Sequence, residues 1–271
     1  MTAGTLASPG RRPVLRLGLV PALTLLGASV VGVAAFGWPF LIGDGSTLEH
    51  QNDAPWLFVL LLALLGSVVA AALSSGDMDA KTVALLGVLA SVGGAMRVLG
   101  AGTAGLDPMF FLLVLAGRVI GPAAGFLLGA LSMLVGGFLT GGIGPWTPFQ
   151  MFAAGWLTLG AALLPRASGW AERWLLAGYA LVAGLGYGLV MNLWFWPFLS
   201  TGVPAGALFV AGDPVGENLG RYAVFYVVTS LGWDLPRGLL TAGLCLLAGR
   251  PVLATLRRGV RRASFDAGSI T

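Results

Sequence analysis

The chain has 271 residues, of which only 10% are charged, 15 Lys or Arg and 11 Asp or Glu, where a soluble domain carries roughly a quarter. With 57% apolar residues and a mean hydropathy of +0.89, too little polar surface exists to cover a water-exposed globule, which excludes a soluble enzyme. One Cys (Cys245) and one His (His50) exclude a disulfide framework, a zinc cluster or a haem site built from them, and 43 Gly without a G-X-Y period read as closely packed membrane helices.

Crossing about 30 Å of hydrocarbon takes about 20 mostly apolar residues. Eight segments meet or approach that length, at 14–42, 56–74, 82–99, 108–119, 121–140, 148–165, 173–198 and 221–249. Before the first, Arg11-Arg12-Pro13 faintly resembles a twin-arginine export signal, but the apolar run is too long for a signal core and seven spans follow it. The third carries Gly87, Ser91 and Ala95 four residues apart, a stripe that lets helices approach closely. Its Arg97, near the outer end, either faces a cavity or snorkels to the surface. Between the fourth and fifth, Gly121-Pro122 predicts a tight break, because proline disfavours helix at the residue before it and removes a donor. A second small-residue ridge, Gly117, Gly121, Gly125 and Gly129, runs through both. Each stripe serves internal packing or docks a partner membrane subunit.

Polar and aromatic groups gather at one end. The fifth and sixth spans are joined by Gly144-Pro145-Trp146-Thr147-Pro148-Phe149-Gln150-Met151, where the indole offers a flat face and Gln150 both donates and accepts. The seventh ends in Asn192-Leu193-Trp194-Phe195-Trp196-Pro197-Phe198. An amide in lipid is costly without a partner, so Gln150 and Asn192 must face protein or ligand; for Trp194 and Trp196 an interfacial aromatic belt is the competing account. The 199–220 connection, with Pro204, Gly206, Gly212, Pro214 and Gly216, reads as a mobile cap. The eighth span starts at Arg221-Tyr222, contains Tyr226, and holds Trp233-Asp234-Leu235-Pro236-Arg237 near its middle. Asp234 and Arg237 share a helical face at i, i+3, either as a self-neutralising pair or as ligand contacts. Pro236 suggests a kink there. The last twenty residues read as a basic, solvated tail.

Charge placement supports eight crossings with both termini cytoplasmic. Arg11, Arg12, Arg16, Lys81, Arg118, Arg166, Arg173, Arg250, Arg257, Arg258, Arg261 and Arg262 then fall inside, while Asp44, Glu49, Asp53, Asp107, Asp213 and Glu217 fall outside, as the positive-inside rule requires. The pI of 9.8 is thereby mostly topology, and the Arg250–Arg262 cluster reads as an anchor beside anionic lipid rather than a nucleic-acid patch. A P-loop is absent: beside Lys81-Thr82 the two glycine positions hold Ser75 and Ala80, so the chain has no nucleotide cradle of that kind. Asp77 and Asp79 read as solvated caps, and no catalytic residue, metal site or cofactor is expected.

Residues 81–250 resemble the membrane-embedded substrate-binding (S) subunits of energy-coupling-factor vitamin importers. The resemblance rests on Gly117-Arg118-Val119-Ile120-Gly121-Pro122-Ala123-Ala124-Gly125 and its continuation to Ala130, on the Gly144–Met151 stretch, on Asn192 with its Trp-rich end, and on Trp233-Asp234 with Arg237. It implies an all-α membrane fold: a six-helix bundle over 81–250, preceded here by a 1–80 region with two extra helices and followed by a 251–271 tail. It further implies a plasma-membrane, multi-pass location, vitamin capture near the extracellular side, and delivery with a transmembrane coupling subunit and two cytosolic ATPases. The substrate-contact candidates are Arg97, Trp146, Thr147, Gln150, Asn192, Trp194, Trp196, Tyr222, Tyr226, Asp234 and Arg237, and the partner stripe is Gly87, Ser91 and Ala95. The Trp-Thr-Pro-Phe-Gln loop looks most like subunits assigned to cobalamin or its corrinoid precursors. Two competing readings are a self-sufficient secondary permease, which commonly shows internal repeats not evident here, and a lipid-modifying membrane enzyme, which would cluster acids or a His near one surface.

Overall fold

A computed structural model describes residues 19–40, 54–74 and 80–264, with backbone alone at 54–58, 73 and 263–264. His50, Asp44, Glu49, Asp53, Asp77, Asp79 and Arg11, Arg12 and Arg16 lie outside those residues. All regular structure among them is helical: α1 (Leu19–Phe36), α2 (Ala54–Ser74), α3 (Ala80–Gly100), α4 (Met109–Ile120), α5 (Pro122–Thr140), α6 (Thr147–Leu163), α7 (Gly169–Leu193), α8 (Val215–Thr229), α9 (Leu231–Leu247) and α10 (Gly249–Ser264), with short 3-10 turns at Trp38–Phe40, Trp196–Phe198 and Ala205–Ala207. Four of these, α1, α3, α5 and α7, are long and apolar enough to cross a membrane, and α9 with α10 makes a fifth if that bent pair is one span. Large apolar side chains stand open on the outside, Leu19 at 75% and Leu247 at 83% exposure among them. So much unburied apolar surface is compatible with a lipid surround and ill-suited to water.

The bundle is organised around α4. It has only 12 residues, and all but Val119 are buried; a helix apolar on every side belongs inside a protein. The Gly121-Pro122 break falls where the sequence places it. Gly121 takes a φ of +97°, open to glycine and strained for other residues, and Pro122 starts α5, where its missing N–H costs nothing. The glycine ridge packs inward. A Cβ on Gly125 would sit 3.2 Å from the Thr158 carbonyl, and one on Gly117 or Gly129 would collide with Thr158 or Ala154 backbone. That ridge therefore seats α4 and α5 on α6. Gly93 and Gly94 seat α3 on α5 in the same way, against Ser132, Val135 and Gly136.

The predicted eighth span is divided. α8 starts six residues earlier than expected, and the helix breaks at Ser230 rather than at Pro236, which lies within α9. The 199–220 connection contains a 3-10 turn and the first turns of α8, with Asn218 exchanging hydrogen bonds with the Val210 backbone at 3.1 and 2.8 Å. The expected tail is also different: α10 turns 76° from α9 and buries Leu253 and Leu256. Its Arg257 grips both carboxylate oxygens of Glu172 on α7 at 2.7 Å. Arg118 on α4 reaches the same carboxylate at 3.1 Å and donates to the carbonyls of Leu164 and Pro165 at 2.6 and 2.7 Å, closing the end of α6. This ionic knot sits at the end of the bundle that carries Lys81, Arg166, Arg173 and Arg250.

The two leading helices dock on the core. Trp156 of α6 donates to Ser29 of α1 at 3.1 Å, Phe36 meets Phe149 edge-on at 5.0 Å, and Trp38 donates to the Trp194 carbonyl at 3.1 Å while stacking on Phe198.

Candidate functional site

Antiparallel alternation brings six helix termini together opposite the ionic knot: the ends of α3, α5 and α7 and the starts of α4, α6 and α9. Two adjoining cavities open there, of about 260 and 580 Å³, sharing Gln150, Tyr187, Trp233 and Arg237 as walls.

The smaller chamber is polar. Arg97, half-buried, lays its stem against α5 where Gly136 has no side chain to obstruct it. Its guanidinium donates to Gln150 Oε1 at 3.3 Å and contacts Met133 Sδ at 2.6 Å. Asp107, in the loop before α4, accepts from the Met109 N–H at 3.0 Å, which helps cap that helix. Burial pushes the Asp107 carboxyl above its ordinary value of 3.8, against the opposing pull of Arg97, the Met109 N–H and Arg237; removal from water disfavours the charged form, and nearby cations only partly restore it.

The larger chamber has aromatic walls at Trp194, Phe195 and Phe225, and adds Asn192, Thr201, Thr229, Ser230 and Asp234 to the polar groups it shares with the smaller one. Asn192 donates to Ser230 Oγ at 2.5 Å, and that hydroxyl lies 3.0 Å from Thr229 Oγ1. Trp194 stacks on Phe149 with centroids 5.3 Å apart, so its orientation is set by α6. Asp234 and Arg237 form an ion pair. Arg237 also lies over the touching rings of Phe110 and Tyr187 at 5.3 and 5.1 Å, a cation–π arrangement that holds one side of the guanidinium at the wall shared by the chambers.

Of the residues singled out from sequence, Arg97, Gln150, Asn192, Trp194, Asp234 and Arg237 line these chambers. The other five are placed elsewhere. Trp146 is 39% exposed and bonds only to its own loop, at the Gly142 carbonyl. Thr147 accepts from the Gly144 N–H at 2.9 Å, fixing the turn into α6. Trp196 is fully buried, donating to the Ala207 carbonyl at 2.8 Å and packing on Tyr222. Tyr222 and Tyr226 donate to the carbonyls of Leu189 and Leu185, pinning α8 to α7.

Asp107, Phe110, Tyr187, Ser230 and Trp233 complete the walls and were not among the candidates. An acid one residue before Pro108 at a helix start was a usable signal for Asp107; Tyr187, within an apolar run, offered none. Gly87, Ser91 and Ala95 lie on the exposed face of α3, opposite buried Leu86, Leu89, Ala90, Gly93 and Gly94. Ser91 returns its hydroxyl to the Gly87 carbonyl at 2.8 Å, so this outward stripe exposes no unsatisfied donor. Among the described residues no cluster of three or more His, Cys, Asp or Glu is arranged to hold a metal ion. No known protein family, curated protein or solved structure matches the chain.

Proposed function

We propose that this chain is the membrane-embedded substrate-binding subunit of an energy-coupling-factor type importer, crossing the bilayer eight times with both termini inside. It captures a ring-containing vitamin, with a corrinoid the leading candidate, and passes it inward with a transmembrane coupling subunit and two cytosolic ATPases. The observation carrying this reading is the two-chambered hollow, to which Arg97, Gln150, Asn192, Trp194 and Arg237 converge from four helices or their ends, α3, α6, α7 and α9. Three supports stand beside it: the resemblance in residues 81–250, the missing P-loop, which leaves the energy source to another subunit, and the outward small-residue stripe on α3.

Binding in such a site uses aromatic walls for a flat ring and a few placed polar groups for orientation. The test is binding and uptake measured separately. The purified chain in detergent should bind a vitamin tightly without nucleotide, and mass spectrometry of the purified protein should reveal a co-purifying vitamin. Uptake into cells should require the ATPase partners. Ion-gradient-driven uptake by this chain alone in liposomes would overturn the proposal in favour of a self-sufficient permease.

A further inference from the structure

We infer that the cavity takes its ligand by an anionic group, a carboxylate or a phosphate, laid between Arg97 and Arg237 in the smaller chamber while the ligand's ring body fills the larger one. This deepens the binding-subunit reading and rests on it.

The donors come first. Arg97 has five N–H groups in a fixed fork, yet its hydrogen-bonding partners are all neutral, the Gln150 amide oxygen, the Met133 thioether and the Tyr187 hydroxyl. Among the described residues it pairs with no carboxylate within 4.0 Å. A guanidinium in that state, withdrawn from water, is poised for the planar two-point contact that carboxylate and phosphate supply. Arg237 spends one edge on Asp234, and its buried Nε has no hydrogen-bond partner. Its guanidinium rests against the Phe110–Tyr187 ring pair, whose centroids are 4.9 Å apart, so one side is held by aromatic faces.

The acceptors are few. Gln150 turns its oxygen to Arg97, which leaves its amide nitrogen as a further donor on a residue lining both chambers. Asp107 is the one acid lining the smaller chamber. Its Oδ1 is committed to the Met109 N–H, and burial draws the carboxyl toward its neutral form. Arg97, the Gln150 amide and the free edge of the Asp234-paired Arg237 therefore face a space lined by one acid, and the chamber is rich in donors. Its neighbour has the opposite character, with Trp194, Phe195 and Phe225 as walls, suited to a ring. An anionic head and a flat body match the two chambers in order.

The test uses matched probes that differ in the anionic group: biotin against biotinamide for carboxylate, flavin mononucleotide against riboflavin for phosphate, and a cyanocobalamin monocarboxylate against cyanocobalamin for a carboxylate on a corrinoid. Equilibrium dialysis with the purified full chain in detergent should show at least one anionic member binding at least about 10-fold tighter than its counterpart, a margin of about 1.4 kcal/mol. The pair that shows it names the anion. Arg97→Gln should erase that preference, so that the anionic member and its neutral counterpart bind the variant within about two-fold of each other. Arg97→Lys, which keeps the charge and loses the fork, should retain part of it. Should Arg97→Gln fail to fold, the wild-type pair comparison decides alone. Equal or tighter binding of every neutral counterpart would overturn the anionic assignment and leave the binding-subunit reading standing. Binding of no probe would overturn both.

Discussion

At the scale of single residues, the cavity rests on two close decisions. The first is Gly188, where a Cβ would collide with the Asp234 carboxylate. The missing side chain lets α7 pass directly over the Asp234 carboxylate, which pairs with Arg237 one turn further along α9. Gly188→Ala forces the ion pair to shift, and overpacking of this kind costs about 1–3 kcal/mol. A lower thermal unfolding midpoint in detergent is expected, while Gly186→Ala, two residues away with nothing within 4 Å of its Cβ, should leave the midpoint unchanged or slightly raised. Equal behaviour of the two variants would refute the close-approach account. The second decision is Asp107, whose carboxyl faces Arg97 from α3, Arg237 from α9, Tyr187 from α7 and the Met109 N–H of its own helix. Its pKa is raised in the folded chain, so the folded state holds that proton more firmly than the unfolded one. The associated stability is full below 3.8 and is lost as pH rises through the folded value. Anion affinity should follow the same direction, tightening as pH falls from neutrality because a neutral Asp107 no longer competes for the guanidiniums. Asp107→Asn keeps an oxygen for the Met109 N–H and should flatten that pH dependence; an unchanged slope in dialysis across pH 4–7 would remove Asp107 from the account.

At the scale of elements, α10 shows how far charge counting carries. The arginines at 257, 258, 261 and 262 were legible as a basic cluster, but mean composition hid the apolar stripe at Leu253 and Leu256 that appears only at helical spacing. The packed position of α10 depends on Glu172, 2% exposed and held by arginines from α4 and α10. Removing one member of a buried ionic group leaves the others uncompensated, at a cost on the order of 3–5 kcal/mol. Glu172→Gln is expected to lower the unfolding midpoint strongly. Arg257→Ala, which removes the α10 contact and leaves Arg118 on Glu172, should be milder and should speed tryptic cleavage within α10 with α1–α9 intact. Wild-type cleavage kinetics in that variant would show that the apolar face alone holds the helix. The break at Ser230 was hidden for a different reason. Pro236 was the visible helix breaker, yet it lies within α9, where it forgoes the single bond to the Gly232 carbonyl without ending the helix, whereas Ser230 sits where Asn192 and Thr229 engage its hydroxyl, a tertiary contact without a local signature.

At the scale of the whole molecule, the readable and unreadable parts of the site divide by physical cause. Polar groups in apolar runs were readable, because burying Arg97, Gln150, Asn192, Asp234 or Arg237 in lipid demands a partner, and all five line the same hollow. Aromatic groups divided: Trp194 lines the hollow, whereas Trp146, Trp196, Tyr222 and Tyr226 have apolar bodies and polar tips that serve as well in packing as in binding, and here packing claims them. The same reasoning separates the two small-residue stripes, identical in spacing. The one through Gly117, Gly125 and Gly129 is consumed by α6, while Gly87, Ser91 and Ala95 face outward, and a Cβ on Gly87 meets nothing within 4 Å. α1 and α2 pack along α6, which leaves this α3 face uncovered. Under the proposed function it is where the coupling subunit seats, since association in lipid depends on close backbone approach. Gly87→Leu combined with Ser91→Leu adds bulk to an open face, so neither the unfolding midpoint nor vitamin affinity should change. Co-purification with the coupling subunit, and uptake with it, should instead fall by about 10-fold or more, the size of a coupling loss of about 1.4 kcal/mol. Undiminished co-purification and uptake would move the partner to another face of the bundle, whereas loss of vitamin binding in the isolated variant would mean that α3 transmits packing to the Arg97 end rather than offering a docking surface.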